Sequence, residues 1–530
     1  MSLNGRPVPM PDKKITYKAG KNGTTYVYQT VRAYRNKNGK PTSDEVSIGK
    51  KDPDTGMLIP NSNYHRLFAA NTGGAEKQPQ VKNVRNYGNT AVLHGMAKKI
   101  GIARLLEECF PNDWSQILAC AMYMLCEGNV MMYMEDWFDE TKVDFAERMD
   151  DVDACRLFAS ISDEDRKRFF IQWHKEQGEN EYLVYDVTSI STHSNKIDMA
   201  EWGYNRDGDN MAQVNFGMFY GVTKQMPICY NLYNGSIPDK TCMEYMMFNA
   251  NDIGINEARF VMDRGFVTED NIQCMCEMGH SFVTAMPGQR LDAVALINEN
   301  RQDVRKSANR INGREVYGIK RPMEMYGLDL TAHLYYDPEK QVFDEKELYA
   351  HLEKLEDELG KMSRAKRASK RHKEYFAIAG EHTGEISYKL DADKVDARLD
   401  RAGFFILLCN DPDISSEDVI RIYRERDTIE KNFDQLKNHL DFKRLRTHLN
   451  KTTEGKVFVG FIALILRSYI LNMIKSEKST KRLTFEKVII ELRKIKVLTL
   501  SDNNEMLLPL TKLQKTILAS LGLDDDFISV

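Results

Sequence analysis

The sequence predicts a multidomain α/β protein: a small β-rich segment, a helical segment, a mixed-sheet core interrupted once by an insertion, and a helical tail. Three observations carry this. Between Glu181 and Met286, apolar runs of strand length alternate with stretches of helical spacing. The same kind of run returns at Gly403 to Asn410, after the polar stretch 288–402. Near the start, two β-rich runs flank Asn38-Gly39, a strong short-range signal for a hairpin.

Composition bounds the rest. A chain of 530 residues has room for several domains and large cores. The net charge of −4 and pI near 6.3 do not announce a nucleic-acid binder, so any such contact must come from local basic patches. The nine cysteines are scattered without a Cys-x-x-Cys pair. Cys274 and Cys276 would diverge on a helix, which argues against zinc and for reduced thiols. The start carries no charged-then-apolar leader pattern. The apolar run Val457 to Leu466 stops at Arg467, too short to span a bilayer, and reads as a core helix.

Taken in order, residues 1–78 form the β-rich segment. Met1 to Lys13 is polar and loose; Thr24 to Tyr34 and Ser43 to Gly49 are the strands. With Arg32, Arg35, Lys37 and Lys40 on it, this ribbon suits a DNA groove; the alternative is a plain ribbon packed on its neighbour. Residues 79–178 are helical in spacing, as in Ala91 to Ala97 and Ile117 to Tyr123. The methionines from Met122 to Met134 read as core, and His94 and His174 as structural.

Residues 179–287 are the first part of the core. Glu181 to Ser189 and Ala258 to Phe266 are short apolar strands that deliver Asp186 and Asp263, and Gly265 eases the turn after the second. A single aspartate at a strand end means little, since turns favour Asp. Between them lie strands Val214 to Val222 and Pro227 to Tyr233 and a helix from Met243 to Asn251; a helix from Glu269 and a strand Ser281 to Met286 come next. The polar loop containing His193 and Tyr204 to Asp209 borders this region. Ser189, Ser191 and His193 lack the Gly-x-Ser-x-Gly elbow of a serine hydrolase.

Residues 288–402 are the insertion. It carries strands Gly313 to Lys320 and Thr331 to Tyr336, and a polar helix from about Asp344 to Lys361. The basic run Arg364, Lys366, Arg367, Lys370, Arg371 and Lys373 comes after it. The run is dense enough to neutralise several phosphates, or else is a solvated helix end. Residues 403–475 resume the core, and 476–530 read as a helical tail with the apolar segment Val497 to Leu500.

The helix after Gly403–Asn410 holds the most telling spacing. Ser415 to Asp418 has the shape of a capping box. At about 100° per residue, Ile422, Ile429, Phe433, Leu436 and Leu440 share one buried arc. Tyr423, Arg426, Glu430 and Lys437 share a second arc beside it. This Tyr-x2-Arg-x3-Glu-x6-Lys pattern resembles the signature of bacterial insertion-sequence transposases with an Asp-Asp-Glu triad, the subgroup with a Tyr-Arg-Glu-Lys (YREK) signature. The likeness covers roughly residues 180–475.

That resemblance implies a ribonuclease H-like core and a triad of Asp186, Asp263 and Glu430 holding two Mg²⁺ or Mn²⁺ ions. It implies cleavage of element ends, joining of the 3′ ends to target DNA, and a homodimer on double-stranded DNA in the bacterial cytoplasm, at the nucleoid when bound. Tyr423, Arg426 and Lys437 are then DNA contacts near the cleaved phosphate. Some relatives stabilise a flipped base with a Trp from the insertion. Here Trp114, Trp137, Trp173 and Trp202 all lie outside it, which puts a hairpin intermediate in doubt. A metal-dependent nuclease on the same fold and a non-catalytic DNA-binding descendant are the alternatives. Three oxygen-donor carboxylates can hold hard divalent cations without a covalent protein nucleophile.

Overall fold

The computed structural model describes residues 7–12, 14–20, 23–36, 39–68, 80–178, 182–256, 258–313, 315–362, 368–380 and 387–523. The chain forms two compact units, residues 1–82 with 500–504, and residues 83–499 with 505–530.

In the smaller unit, β1 (Ile15–Ala19), β2 (Thr25–Arg35), β3 (Pro41–Lys51) and β4 (Leu58–Pro60) pair in sequence order, and α1 (Ser62–Phe68) comes after them. Val27, Ile48 and Leu58 form its small core. Both predicted strands are present as β2 and β3, and β1 and β4 add two more that the sequence pattern does not separate. Arg32 and Arg35 are exposed on β2. Lys37 and Asn38 of the turn signal lie outside the described residues.

After β5 (Val81–Asn86), the larger unit has a helical layer: α2 (Gly88–Lys99), α3 (Ile102–Cys109), α4 (Trp114–Glu127), α5 (Met134–Glu140), α6 (Asp151–Ser160) and α7 (Asp163–Gln177). Met122, Met124, Met131 and Met134 are buried, as core residues should be, but Met132 is exposed and does not belong to the core. Burial pushes the His94 imidazole down to about 4, so it is neutral at pH 7 and structural.

The core continues as β6 (Tyr182–Ser191), β7 (Gln213–Gly221), β8 (Met226–Asn234), α8 (Asp239–Asp252), β9 (Arg259–Met262), α9 (Glu269–Glu277) and β10 (Ser281–Ala285). After α10 (Leu291–Val304) come β11 (Tyr317–Met325) and β12 (Leu328–Tyr336), then α11 (Pro338–Gly360), α12 (Lys370–Tyr375), β13 (Phe376–Ala379), β14 (Ser387–Leu390), α13 (Ala392–Leu399) and β15 (Phe404–Cys409). Among the described residues, eight strands form one sheet in the order β11-β12-β15-β10-β9-β6-β7-β8. Within it, β6–β9 and β9–β10 pair in parallel and the other neighbours antiparallel, so the sheet is mixed. The two strands read inside 288–402 join this sheet through β12–β15. What projects from it is α11 to α13 with the β13–β14 hairpin, packed around Leu352, Leu355, Leu359, Tyr375 and Val395.

Beyond β15 the chain departs from the single helix that the spacing predicts. α14 (Ser416–Arg424) starts at Ser415, whose hydroxyl accepts from the Asp418 N–H. It stops, and α15 (Asp427–Asp434) begins after Glu425-Arg426, then widens into a π turn over Gln435–His439. The apolar arc survives: Ile422, Ile429, Phe433, Leu436 and Leu440 are all buried. Of the polar arc, Tyr423, Arg426 and Glu430 stay together, and Lys437, which lies within the π turn, leaves it. α16 (Asn450–Ser476) is a 27-residue helix, long and apolar enough to cross a membrane, but 78% of its most apolar window is buried inside the protein against α4, α6 and β8. The tail holds α17 (Phe485–Arg493), β16 (Lys496–Leu500), β17 (Glu505–Leu507) and α18 (Lys512–Ser520). The segment Val497 to Leu500, read as part of a helical tail, is a strand whose Val497 to Thr499 pairs with Glu505 to Leu507. Its alternating Val and Thr suit a strand better than a helix.

Candidate active site

Asp186 and Asp263 are brought level by register. β6 and β9 pair in parallel with Val184 opposite Val261, so each aspartate stands two residues further along its strand. The β6–β9 ladder ends at Val184 and Val261, and Asp263 stands just past the end of β9. Contrary to the expectation from sequence, Asp186 does not end its strand: β6 runs on to Ser191, paired with β7 throughout, with Asp186 opposite Met218. Asp263 caps the turn Arg264–Phe266, accepting from the Arg264 N–H at 2.8 Å. The Asp186 carboxylate accepts from the Val187 N–H at 2.8 Å and has the Arg206 guanidinium at 3.7 Å. Burial pushes it up to about 6, against the opposing pull of Arg206.

Glu430 arrives on α15, one turn after Arg426. The Arg426 guanidinium pairs with Asp263 at 2.9 Å and with Glu430 at 3.4 Å. Burial works against its charge, while Tyr423, Asp263, Glu430 and Asp186 around it favour it. Its Nε is buried with no hydrogen-bond partner among the described residues. The Tyr423 ring lies 5.5 Å from the Arg426 guanidinium, and burial pushes its phenol up to about 12. Four of the predicted residues thus surround one guanidinium at the end of β9 and the free edge of β6.

Lys437 is placed differently from the prediction. The π turn buries its amine, which donates to Asp207 at 2.7 Å on the loop that carries Arg206. Lys370 and Arg371 sit on α12, and Arg371 pairs with Glu358 at 3.1 Å. Lys373 lines a cleft of about 1440 Å³ that Asp263, Tyr423 and Arg426 also line. Arg364, Lys366 and Arg367 lie outside the described residues. Sequence reasoning missed Arg206, Asp239 and Arg444. Arg206 pairs with Asp239, and Arg444 with Asp209 at 2.7 Å. The dense polar stretch Tyr204 to Asp209 was the available signal, without any spacing to single out Arg206.

The donor set suits a hard divalent cation, being oxygen throughout. Asp186 in particular is a half-buried carboxylate whose charge one N–H and a guanidinium at 3.7 Å only partly offset. Among the described residues, no three such side chains stand close enough to ligate one ion as they are, with Arg426 bonded to two of them.

Known proteins extend this geometry. A search of curated proteins gives no significant match. Similar solved structures include the piggyBac transposase synaptic complex with hairpin DNA, at 11% identity and a TM-score of 0.35, covering 72% of this chain and 69% of that one. The Drosophila P element transposase strand transfer complex is similar at 12% identity and a TM-score of 0.12, covering 75% of this chain and 90% of that one. Likenesses this remote establish neither fold nor function. The profile of the transposase DDE domain, by contrast, matches residues 178–466, more than half of the sequence and all of Asp186, Asp263 and Glu430, and the chain belongs to that family.

Proposed function

We propose that this protein is a DNA transposase of the bacterial insertion-sequence type with the YREK signature, built on a ribonuclease H-like core. It nicks element ends and joins the freed 3′ ends to target DNA. The observation that carries the reading is the Arg426 guanidinium bonded to Asp263 and Glu430, with Asp186 level with Asp263 on the adjoining parallel strand. The order of three antiparallel strands and then alternating helix and strand supports the core assignment.

Asp186, Asp263 and Glu430 would hold two Mg²⁺ or Mn²⁺ ions. When bound, such ions supply Lewis-acid activation of a water or 3′-hydroxyl and stabilise the charge on the leaving oxygen. The chain's own residues do the positioning. Arg426, now paired with Asp263 and Glu430, would free them to hold the ions, and its fork suits a phosphate at the same edge. Tyr423 keeps its proton and donates its O–H to phosphate. Lys437 reaches phosphate by exchanging it for Asp207. Lys370, Arg371 and Lys373, with Arg364, Lys366 and Arg367, add sequence-independent phosphate contacts. Arg32 on β2, together with Lys37, reads the element ends.

The proposal divides the labour by region: end recognition in 1–78, a helical scaffold in 79–178, catalysis in 179–287 and 403–475, DNA clamping in 288–402, and packing in 476–530. It takes the working assembly as a homodimer holding two terminal inverted repeats in the bacterial cytoplasm. The test is nicking and joining of a labelled element end with a supercoiled target in Mg²⁺. Nicking with no joined product would leave a nuclease, and neither would leave a DNA-binding protein.

A further inference from the structure

Of the aromatic side chains described, Trp202 and Tyr204 are the most exposed, at 65% and 82%. They lie two residues apart, within about 7 Å along the chain. Exposed tryptophan is uncommon on a surface, and two such exposed rings two residues apart leave a large apolar area in water. The backbone carrying them is not loose. Glu201 and Gln213 exchange N–H···O bonds at 3.0 Å in both directions. The Tyr204 carbonyl accepts from Gln213 Nε2 at 2.9 Å and from Ser189 Oγ at 3.4 Å. Gly203 packs so closely on Gly235 that a Cβ would lie 1.8 Å from its carbonyl oxygen. Beyond Tyr204, Asn205 donates to Ser191 at 3.1 Å, and Asp207 and Asp209 are held by Lys437 and Arg444, each at 2.7 Å.

The backbone is fixed on both sides of two rings that touch little. The next side chain with a role, Arg206, stands 3.7 Å from Asp186. We infer that Trp202 and Tyr204 form a preorganised stacking site for unpaired nucleobases of the DNA strand that passes Asp186. The inference rests on the proposed function for the identity of the ligand. The chemistry is its own: rings held by a rigid backbone lose little entropy on binding, and every base offers a π-face. A paired base is already stacked within its duplex, so the site discriminates unpaired from paired DNA rather than one sequence from another. Arg206 contributes a cation two residues beyond Tyr204.

The test uses the full chain in EDTA, with labelled 20-mers tracked by fluorescence anisotropy: an unpaired oligonucleotide and the same sequence as a duplex. Trp202→Ala is expected to weaken binding of the unpaired strand by about 5- to 100-fold, with a smaller loss for Tyr204→Ala. Trp202→Phe should restore most of it, and duplex affinity should change by less than about twofold. Equal affinities of wild type and Trp202→Ala for the unpaired strand overturn the inference. So does an equal loss on duplex and unpaired DNA, or failure of Trp202→Phe to rescue while its melting temperature is normal. A change of DNA-free oligomeric state in Trp202→Ala would assign the rings to a contact between copies of this chain and also overturn it. Mg²⁺-dependent nicking by the wild type is measured in parallel. Its absence defeats the transposase reading alone, whereas nicking without the predicted anisotropy change defeats the stacking site alone.

Discussion

Replacing Asp186 with Asn should make the metal-free protein more stable while abolishing strand cleavage. Burial moves this carboxyl from 3.8 to about 6. A group whose folded pKa is raised adds stability below its unfolded pKa, and that contribution is lost as pH rises through the folded value. At pH 7 the ionised Asp186 therefore carries its full penalty, about 3 kcal/mol from the shift. The side chain is 26% exposed, and solvent screening brings this to about 2 kcal/mol. With an unfolding entropy of about 2.1 cal/mol/K per residue over the roughly 440 residues of the larger unit, that corresponds to about 2 °C in melting temperature. Differential scanning calorimetry in EDTA from pH 4.5 to 7 is the assay. The Asp186→Asn advantage should be largest at pH 7 and shrink as pH falls towards 4. Added Mg²⁺ should raise the wild-type melting temperature and leave the variant unmoved. A variant that melts lower than wild type at pH 7, or that still nicks element ends, would refute the reasoning.

Three further outcomes are expected. Asp263→Asn and Glu430→Gln should each abolish nicking in Mg²⁺ while end binding stays within about threefold by gel shift, since each swap keeps shape and removes a ligand charge. Arg426→Ala should lower the single-turnover nicking rate by about 10²-fold with little change in melting temperature; an unchanged rate per folded molecule with a lower melting temperature would make Arg426 a helix brace only. Lys456 on α16 is 2% exposed, and burial drives its amine from 10.5 down to about 8. The amine is charged in both folded and unfolded states below pH 8, so its burial cost is complete there and fades as pH rises to 10.5. Lys456→Met should accordingly stabilise the protein by about 2–3 kcal/mol at pH 7 and hardly at all at pH 10.5, read from denaturant midpoints across pH.

The strands that carry Asp186 and Asp263 were legible as short apolar runs with one carboxylate each, though only Asp263 stands at its strand's end; β6 continues past Asp186 to Ser191. Asp186 and Asp263 could be placed without knowing the sheet order. The buried arc from Ile422 to Leu440 was legible for a similar reason: burial imposes a period, and the period is written in the residues. The break at Glu425-Arg426 and the π turn at 435–439 were not. No glycine or proline marks them. Tertiary partners accompany them: Arg426 pairs with Asp263 across the opening, and Lys437 with Asp207 on another loop. Arg206 was invisible in the same way, because its contact with Asp186 spans a loop with no periodicity to read. β11 and β12 could be read as strands, but their membership of the core sheet depends on pairing with β15, which lies far along the sequence. The strand at Lys496–Leu500 was missed because a short apolar segment between helical stretches fits either element.

α16 has a consequence for how the protein is made. Phe458 packs on Phe110, Phe169 and Phe170, and Gly455 lies directly on the backbone of Phe158. The helix is the central pillar of the larger unit, yet it is among the last elements to leave the ribosome. At about 5–20 residues per second, roughly 15–60 s separate completion of α6 from completion of α16. Throughout that interval the nascent α4–α6 layer presents an open hydrophobic trench, and the pillar, when it emerges, is itself a sticky apolar rod. Yield in a cell is thus governed by chaperone capture of that trench and by translation speed across residues 160–476. Slowing elongation before Asn450 should lower soluble yield, and holding a chaperone on the trench should restore it.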